Sequence, residues 1–346
     1  MRILLTLLLL TALSGAQEHD YEAFFKRTEG WTGADGTYST PLGERGTLWG
    51  FSDTFFGNVR NGTRVEPLRF VNNSLVLQKG AELTFFEAPV FRPPGREGWF
   101  WLCDSLARPS GQVEILLGQF RTNGLGGAFG FEQFGVWWAR FQLPETGKRV
   151  KVLEYRRLPF FQQRNGELIT FGSAITRVGP WCYIYGIHQK GFQRDAVVAR
   201  APGDSLGVEG TWQFYTGGGW SSDIWSCESL FPGASMEFSV HRTQSGAYVY
   251  ISNAEGGMTD RIVARKAPSP AGPWSKPTPV KQLPKHHKNV FYYNGKAHPE
   301  LSREGKILIS YNVNTSDLKQ VVEDADIYRP RFFWWTPPDE SWLPTP

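Results

Sequence analysis

Charge and cysteine are both scarce in this chain. Charged residues make up 20% of 346 and the formal net charge is only +4. No arginine or lysine stripe runs along any segment, which argues against a nucleic-acid partner. The three cysteines, Cys103, Cys182 and Cys227, lie far apart. That count excludes a disulfide-dense scaffold and the spacing does not resemble a zinc site. Buried free thiols are the simpler reading, with one disulfide and an odd thiol as the other. After the first residues no apolar run is long enough to span a bilayer, and sustained helical periodicity is nearly absent. No motif for NAD, flavin, ATP or haem is present.

Aromatic residues and chain-breakers fill the gap. Aromatics are 15%, including 14 Trp and 25 Phe, and 38 Gly and 23 Pro are scattered along the chain. This balance predicts short strands joined by tight turns, and an aromatic-lined cleft. The first sixteen residues read as an export signal: Arg2, an apolar core from Ile3 to Leu13, then Ser14-Gly15-Ala16 at a cleavage site. The mature protein would begin near Gln17, be secreted or periplasmic, and form one domain over 17–346. A monomer is the expected state.

A repeat decides the architecture. GTLWGFSD from Gly46, GQVEILLG from Gly111, GELITFGS from Gly166, GAYVYISN from Gly246 and GKILISYN from Gly305 each join a turn glycine to an apolar or alternating strand. Their starts are 65, 55, 80 and 59 residues apart, room in each unit for about four strands of five or six residues plus turns. A second element, an apolar pair followed by Ala-Arg, recurs from Trp137, Val197 and Ile262. The expected fold is all-β, a single five-bladed β-propeller with these five strands in equivalent places. A β-sandwich with an extra subdomain is the alternative, and it does not call for five similar units.

Two aspartates stand out against this background. Asp35 in GADGTYS and Asp53 in LWGFSDTFFG are eighteen residues apart and embedded in small and aromatic residues. A carboxylate in such surroundings must be paired or protonated. Two within reach of each other suit glycosidic-bond hydrolysis, one handing over a proton and one attacking or activating water. Otherwise each simply closes a turn, Asp35 with Gly36 and Asp53 with Thr54. Asn72, Asn73, Asp104 and Arg329 are polar residues inside apolar runs. They bind sugar hydroxyls if they face a channel, and satisfy backbone groups at strand ends if they do not. Trp220 and Trp225 in a glycine-rich stretch, or Trp99, Phe100 and Trp101, offer stacking platforms for sugar rings. The KHHK run at 285–288 reads as a solvated loop, because adjacent histidines in extended chain point to opposite sides.

The segments WTGADGTYSTPL, TLWGFSDTFFG, VNNSLVLQ, KAHPELS and SYNVN together resemble the five-bladed propeller glycosidases, and within them the domains related to bacterial endo-D-arabinanases. The resemblance runs from about Trp31 to about Phe333. It implies that Asp35 and Asp53 are the catalytic carboxylates, Asp35 as nucleophile or base and Asp53 as acid. Burial beside Trp49, Phe51 and Phe55 is expected to raise the Asp53 pKa, while backbone N–H groups near Gly33 and Gly36 keep Asp35 ionised. Retention of configuration is expected from two residues flanking one hairpin. The resemblance further implies a fourth-blade acid at Glu237, with Glu228 as competitor. It implies His298 near the axis too, either as a polar contact or helping to hold a calcium or sodium ion through water. Ser52 stands where members of that group tend to carry glycine before the second aspartate. The implied function is a secreted hydrolase of furanose-containing polysaccharide, of arabinan or arabinogalactan type. A carbohydrate-binding propeller without turnover is the alternative, and it has no need of two acids at one bond.

Overall fold

The computed structural model describes residues 20–284 and 289–345, so the export signal and the KHHK run lie outside the described residues. Among the described residues two short helices, α1 (Tyr21–Phe25) and α2 (Leu318–Glu323), accompany strands, turns and single 3₁₀ turns.

Seven strands open the chain: β1 (Glu29–Ala34), β2 (Tyr38–Pro41), β3 (Thr47–Phe51), β4 (Thr54–Arg60), β5 (Thr63–Val71), β6 (Ser74–Lys79) and β7 (Glu82–Phe85). They form a four-stranded sheet, β2-β3-β6-β7, and a three-stranded one, β1-β4-β5. The chain passes between the two at Asp35–Thr37, at Ser52–Asp53 and at Asn72–Asn73. Hydrogen bonding continues through the break, with Asp35 N donating to Asp53 O (3.1 Å) and Ser52 N to Asp35 O (2.9 Å). The two sheets are therefore one ribbon, bent along the row Asp35, Asp53, Asn72.

A second sheet orders β8 (Trp99–Ala107), β9 (Val113–Thr122), β10 (Phe131–Gln142) and β11 (Lys151–Leu158) in sequence. The next carries β12 (Phe161–Arg164), β13 (Glu167–Val178), β14 (Trp181–Lys190), β15 (Gln193–Pro202), β16 (Gln213–Tyr215) and β17 (Trp220–Ser221), with β18 (Phe231–Pro232) pairing on β15. Then come β19 (Ser239–Arg242), β20 (Tyr248–Asn253), β21 (Arg261–Ala267) and β22 (Thr278–Gln282), and finally β23 (Val290–Arg303), β24 (Lys306–Thr315) and β25 (Pro330–Trp335). The described residues thus form six sheets. Strands β2, β8, β13, β19 and β23 neighbour one another in that order, and β23 returns to β2, closing a ring.

The core lies between the sheets. Val249 and Ile251 of β20 pack with Ile307 and Ile309 of β24, and Leu116 of β9 with Ile169 of β13 and Ile184 of β14. Middle strands such as β3 and β20 are buried along their whole length, because sheets cover both of their faces. Hence their near-continuous apolar sequence. The repeated glycine has a backbone cause: Gly46, Gly111, Gly166, Gly246 and Gly305 all sit at hairpin turns with φ between 74° and 101°, where a side chain would be strained.

One of the five repeats is displaced. Gly46, Gly111, Gly246 and Gly305 lead into the second strands β3, β9, β20 and β24, but Gly166 leads into β13, which belongs to the ring. Every hairpin in such a chain needs a similar turn, so the glycine marks hairpins rather than one fixed rank of strand. The three cysteines are all free thiols, with Cys182 and Cys227 in the core between the second and third sheets.

Candidate active site

The bend in the first ribbon sets the floor of a cavity of about 680 Å³. Asp35 follows β1, Asp53 follows β3 and Asn72 follows β5, so three interruptions at one level turn three polar side chains to the same side. All three line the cavity. Asp53 Oδ1 accepts from Asn72 Nδ2 (2.9 Å) and Trp101 Nε1 (2.7 Å). Asp35 Oδ2 accepts from Tyr293 Oη (2.8 Å) and Tyr328 Oη (3.1 Å). Tyr328 Oη also lies 3.5 Å from Asp53 Oδ2. One hydroxyl therefore spans both acids, and the carboxylates sit within two hydrogen-bond lengths of each other. Asp35 Oδ1 is buried and has no hydrogen-bond partner among the described residues.

Tyr328 is held there by the fold. It has φ of 70°, rare for a residue with a large side chain. Arg64 of β5, 2% exposed, donates to Ala325 O (3.2 Å), Ile327 O (3.1 Å) and Thr32 O (3.2 Å), and also to Val321 O. It thereby fastens the segment before Tyr328 to the first ribbon. Gly33 permits the approach: a Cβ there would lie 2.4 Å from Tyr328 O and 2.4 Å from Arg64 Nη2.

The electrostatics reverse the expected ranking of the two acids. Burial, then the charges of Asp53 and Glu237, push the Asp35 pKa well above the usual carboxylate range. Asp53 is raised by burial only to about 6, because Asn72, Trp101 and Tyr328 donate to its charged form. Trp49 and Phe51, expected to raise Asp53, instead pack into the core with Phe25 and Trp31. Among the described residues no backbone N–H reaches the Asp35 carboxylate, which receives two phenols in its place. Burial and the neighbouring charges thus favour the protonated form at Asp35 more than at Asp53.

Glu237 borders the same cavity and forms an ion pair with Lys296 of β23. Lys296 also donates to Gly36 O and lies 4.2 Å from the centre of the Tyr38 ring. Burial raises the Glu237 pKa, and Lys296 opposes that shift. Glu228 is exposed and does not line the cavity.

Several expected ligands lie elsewhere. Asn73 is fully buried and clamps the strand crossing it: its Nδ2 donates to Phe91 O (2.9 Å) and Phe100 O (3.0 Å), and its Oδ1 accepts from Phe91 N (2.9 Å). Asp104 accepts from Ser105 N (2.8 Å) and Ile175 N (2.6 Å), joining β8 to β13, and burial raises it to about 7. With His298 it lines a separate cavity of about 470 Å³, and Tyr38 and no other floor residue borders both. His298 uses both ring nitrogens on serine hydroxyls, Ser39 (2.7 Å) and Ser310 (2.8 Å), and burial lowers it to about 3. With both nitrogens so engaged it does not fit the role of holding an ion through water. Among the described residues no cluster of three or more His, Cys, Asp or Glu side chains is placed to hold a metal. Arg329 is spent on Asp326 (2.8 Å) and on the carbonyls of Thr32 and Arg27. Trp220 on β17 and Trp225 in the 3₁₀ turn that follows lie away from the cavity, facing the guanidinium groups of Arg200 (4.3 Å) and Arg164 (4.2 Å). Trp99 and Trp101 do line the cavity, whereas Phe100 between them points into the core, as strand alternation requires.

A family model described as "Domain of unknown function (DUF5005)" matches residues 18–336. The chain belongs to the DUF5005 family. Two curated fungal relatives are similar over part of this DUF5005 chain. Notoamide biosynthesis cluster protein J of Aspergillus sp. (strain MF297-2) is 27% identical over 161 residues, 44% of this chain and 42% of that protein. Protein J' of Aspergillus versicolor is 28% identical over 150 residues, 41% and 40% of the two chains. The match thus spans about two-fifths of either relative. Among solved structures, a provisionally named hydrolase from Bacteroides ovatus ATCC 8483 superposes with a TM-score of 0.74 at 20% identity, covering 91% of this chain and 88% of that one. The exo-β-1,3-galactanase of Phanerochaete chrysosporium gives 0.50 at 10% identity, covering 87% and 60%. That of Clostridium thermocellum gives 0.50 at 10%, covering 87% and 58%. The likeness is one of fold: a nearly all-β chain built like the propeller glycoside hydrolases.

Proposed function

We propose that this DUF5005 chain is a glycoside hydrolase in which Asp35 is the acid and Asp53 the nucleophile. The observation that carries the reading is the pair of carboxylates spanned by the Tyr328 hydroxyl on a cavity floor. In the first step the proton of the Asp35 carboxyl passes to the glycosidic oxygen while Asp53 Oδ2 bonds to the anomeric carbon and the leaving group departs. In the second, ionised Asp35 takes a proton from water, the water oxygen bonds to that carbon, and Asp53 is released. Retaining enzymes of this type hold their carboxyl groups about 5–5.5 Å apart, a spacing compatible with one bridging hydroxyl. Glu237, paired with Lys296, is the neighbouring carboxylate whose charge, when it is ionised, helps hold the proton on Asp35.

The finer features of the reading rest on the sequence. The six sheets are read as a single five-bladed propeller in which β1-β4-β5 extends the first blade. The sugar implied by the resemblance is a furanose, in polysaccharide of arabinan or arabinogalactan type. Residues 1–16 are read as an export signal, giving a secreted or periplasmic, monomeric protein. The test is incubation with arabinan, arabinogalactan, fructan, xylan and small synthetic furanosides, following released reducing ends. Product from the native chain and none from Asp35→Asn or Asp53→Asn is the expected result. Saturable glycan binding with no turnover on any substrate would replace the hydrolase reading with a binding one.

A further inference from the structure

The walls of the cavity differ in chemistry from its floor. Eight large apolar side chains are exposed in the described chain, and five of them line this one cavity: Phe70, Phe129, Met236, Met258 and Leu318. Exposed apolar side chains scattered singly call for no explanation, but a contiguous group does. These five come from the first ribbon, the β9–β10 loop, the segments before and within the fourth sheet, and α2. The collar is thus assembled from a strand, a short helix and three connecting segments around the mouth. The β9–β10 loop also reaches across to the last sheet, where the Phe129 and Phe291 ring centres are 6.1 Å apart.

Sugar hydroxyls need donors and acceptors, and the upper cavity offers few. Gln133 is already donating to Gly135 O (3.2 Å) and Thr170 Oγ1 (3.0 Å), and Ser173 to Met236 O (2.7 Å). Asn314 donates to Tyr293 Oη (3.3 Å) and accepts from Thr315 N (2.7 Å). Aromatic rings alone would suit stacking on sugars. Methionine and leucine give flexible apolar contact with no flat face and no hydrogen bond.

We propose that the substrate is a glycoside whose leaving group is apolar, with the sugar on the Asp35–Asp53 floor and the leaving group inside the collar of Phe70, Phe129, Met236, Met258 and Leu318. This rests on the hydrolase reading for the cleavage step, and its binding half can be measured without it. The bond broken is the same anomeric C–O bond, and the apolar group leaves as its alcohol or phenol.

The probes are hexyl and methyl α-L-arabinofuranoside, titrated against the native chain by calorimetry and by intrinsic tryptophan fluorescence, to which the cavity-lining Trp99 and Trp101 contribute. The hexyl compound should bind at least tenfold more tightly. In a Phe129→Ser, Met258→Ser double variant the gap should shrink to within twofold while the methyl compound binds as before. Both positions are more than half exposed, so an unchanged melting curve verifies that the fold is intact. Equal binding of the two probes, no binding of the hexyl probe, or a gap that survives the double variant would overturn the proposal. So would self-association in sedimentation that the double variant abolishes, since a second copy would then be the collar's occupant. Chain-length discrimination without cleavage of any glycoside refutes the hydrolase reading alone, and cleavage without discrimination refutes only this one.

Discussion

Lys296 and Glu237 form an ion pair in which the lysine is the more deeply buried partner, its side chain 2% exposed against 24% for the glutamate. The charge that Lys296 supplies is shared among Glu237, the Gly36 carbonyl and the face of Tyr38. It ties the fourth and last sheets to the loop that carries Asp35.

Removing only one partner of such a pair leaves a charge without compensation. Lys296→Met should therefore lower stability by about 3–5 kcal/mol in denaturant melts. The double variant Lys296→Met, Glu237→Gln should recover most of that loss. If the single and double variants melt alike, the pair is not what holds this corner together.

Replacing either carboxylate by its amide should abolish most turnover while the fold persists. For Asp35→Asn and Asp53→Asn we expect kcat to fall about 10³-fold or more, since general-acid catalysis alone supplies roughly 10²–10⁴. Steady-state rates on any cleaved substrate, with circular dichroism to verify folding, measure this. Retained activity in both variants would move attention to Glu237.

The pH dependence follows from the two shifts. Asp53 must be ionised, so kcat/KM should rise through about pH 6, and it should fall above the higher pKa of Asp35, whose proton is needed. Asn72→Ala removes a donor to ionised Asp53 and should move the acid limb to higher pH. Stability runs the other way. Because burial raises the folded pKa of Asp53, its stabilising contribution is full below the unfolded value near 4 and is lost as pH rises through about 6. Asp53→Asn should thus gain in Tm relative to the native chain at pH 8 and show no gain at pH 4.

The Tyr328 hydroxyl can be tested from two directions. Tyr328→Phe removes it, and Gly33→Ala displaces it by forcing a Cβ against Tyr328 O and Arg64. Each should lower kcat at least tenfold, with KM changed less. A native rate in Gly33→Ala would show that the bridging geometry is not needed.

The sequence made some of this legible and hid the rest for definable reasons. Asp35 and Asp53 were visible because each interrupts an apolar strand, and an interruption is a local signal. Tyr293 and Tyr328 were not, because a tyrosine in an apolar run looks like core until the chain has closed and brought it some 260 to 290 positions back to Asp35. Asn72 and Asn73 look alike in sequence, yet in the break between β5 and β6 one turns to the cavity and the other to a backbone clamp. Trp220 and Trp225 read as sugar platforms because their loop is rich in glycine, but arginine side chains already occupy their faces. The lysine in KAHPELS pairs with Glu237 at the cavity, while the histidine two positions on is bonded to two serines.

The bend that places Asp35, Asp53 and Asn72 in one row has a consequence for specificity. Their mutual spacing is fixed within a single hydrogen-bonded ribbon, whereas four of the five collar residues, Phe129, Met236, Met258 and Leu318, come from outside that ribbon. Those side chains make none of the hydrogen bonds that hold the row. Substitutions in the collar can therefore change what the cavity mouth admits while Asp35, Asp53 and Asn72 stay in place.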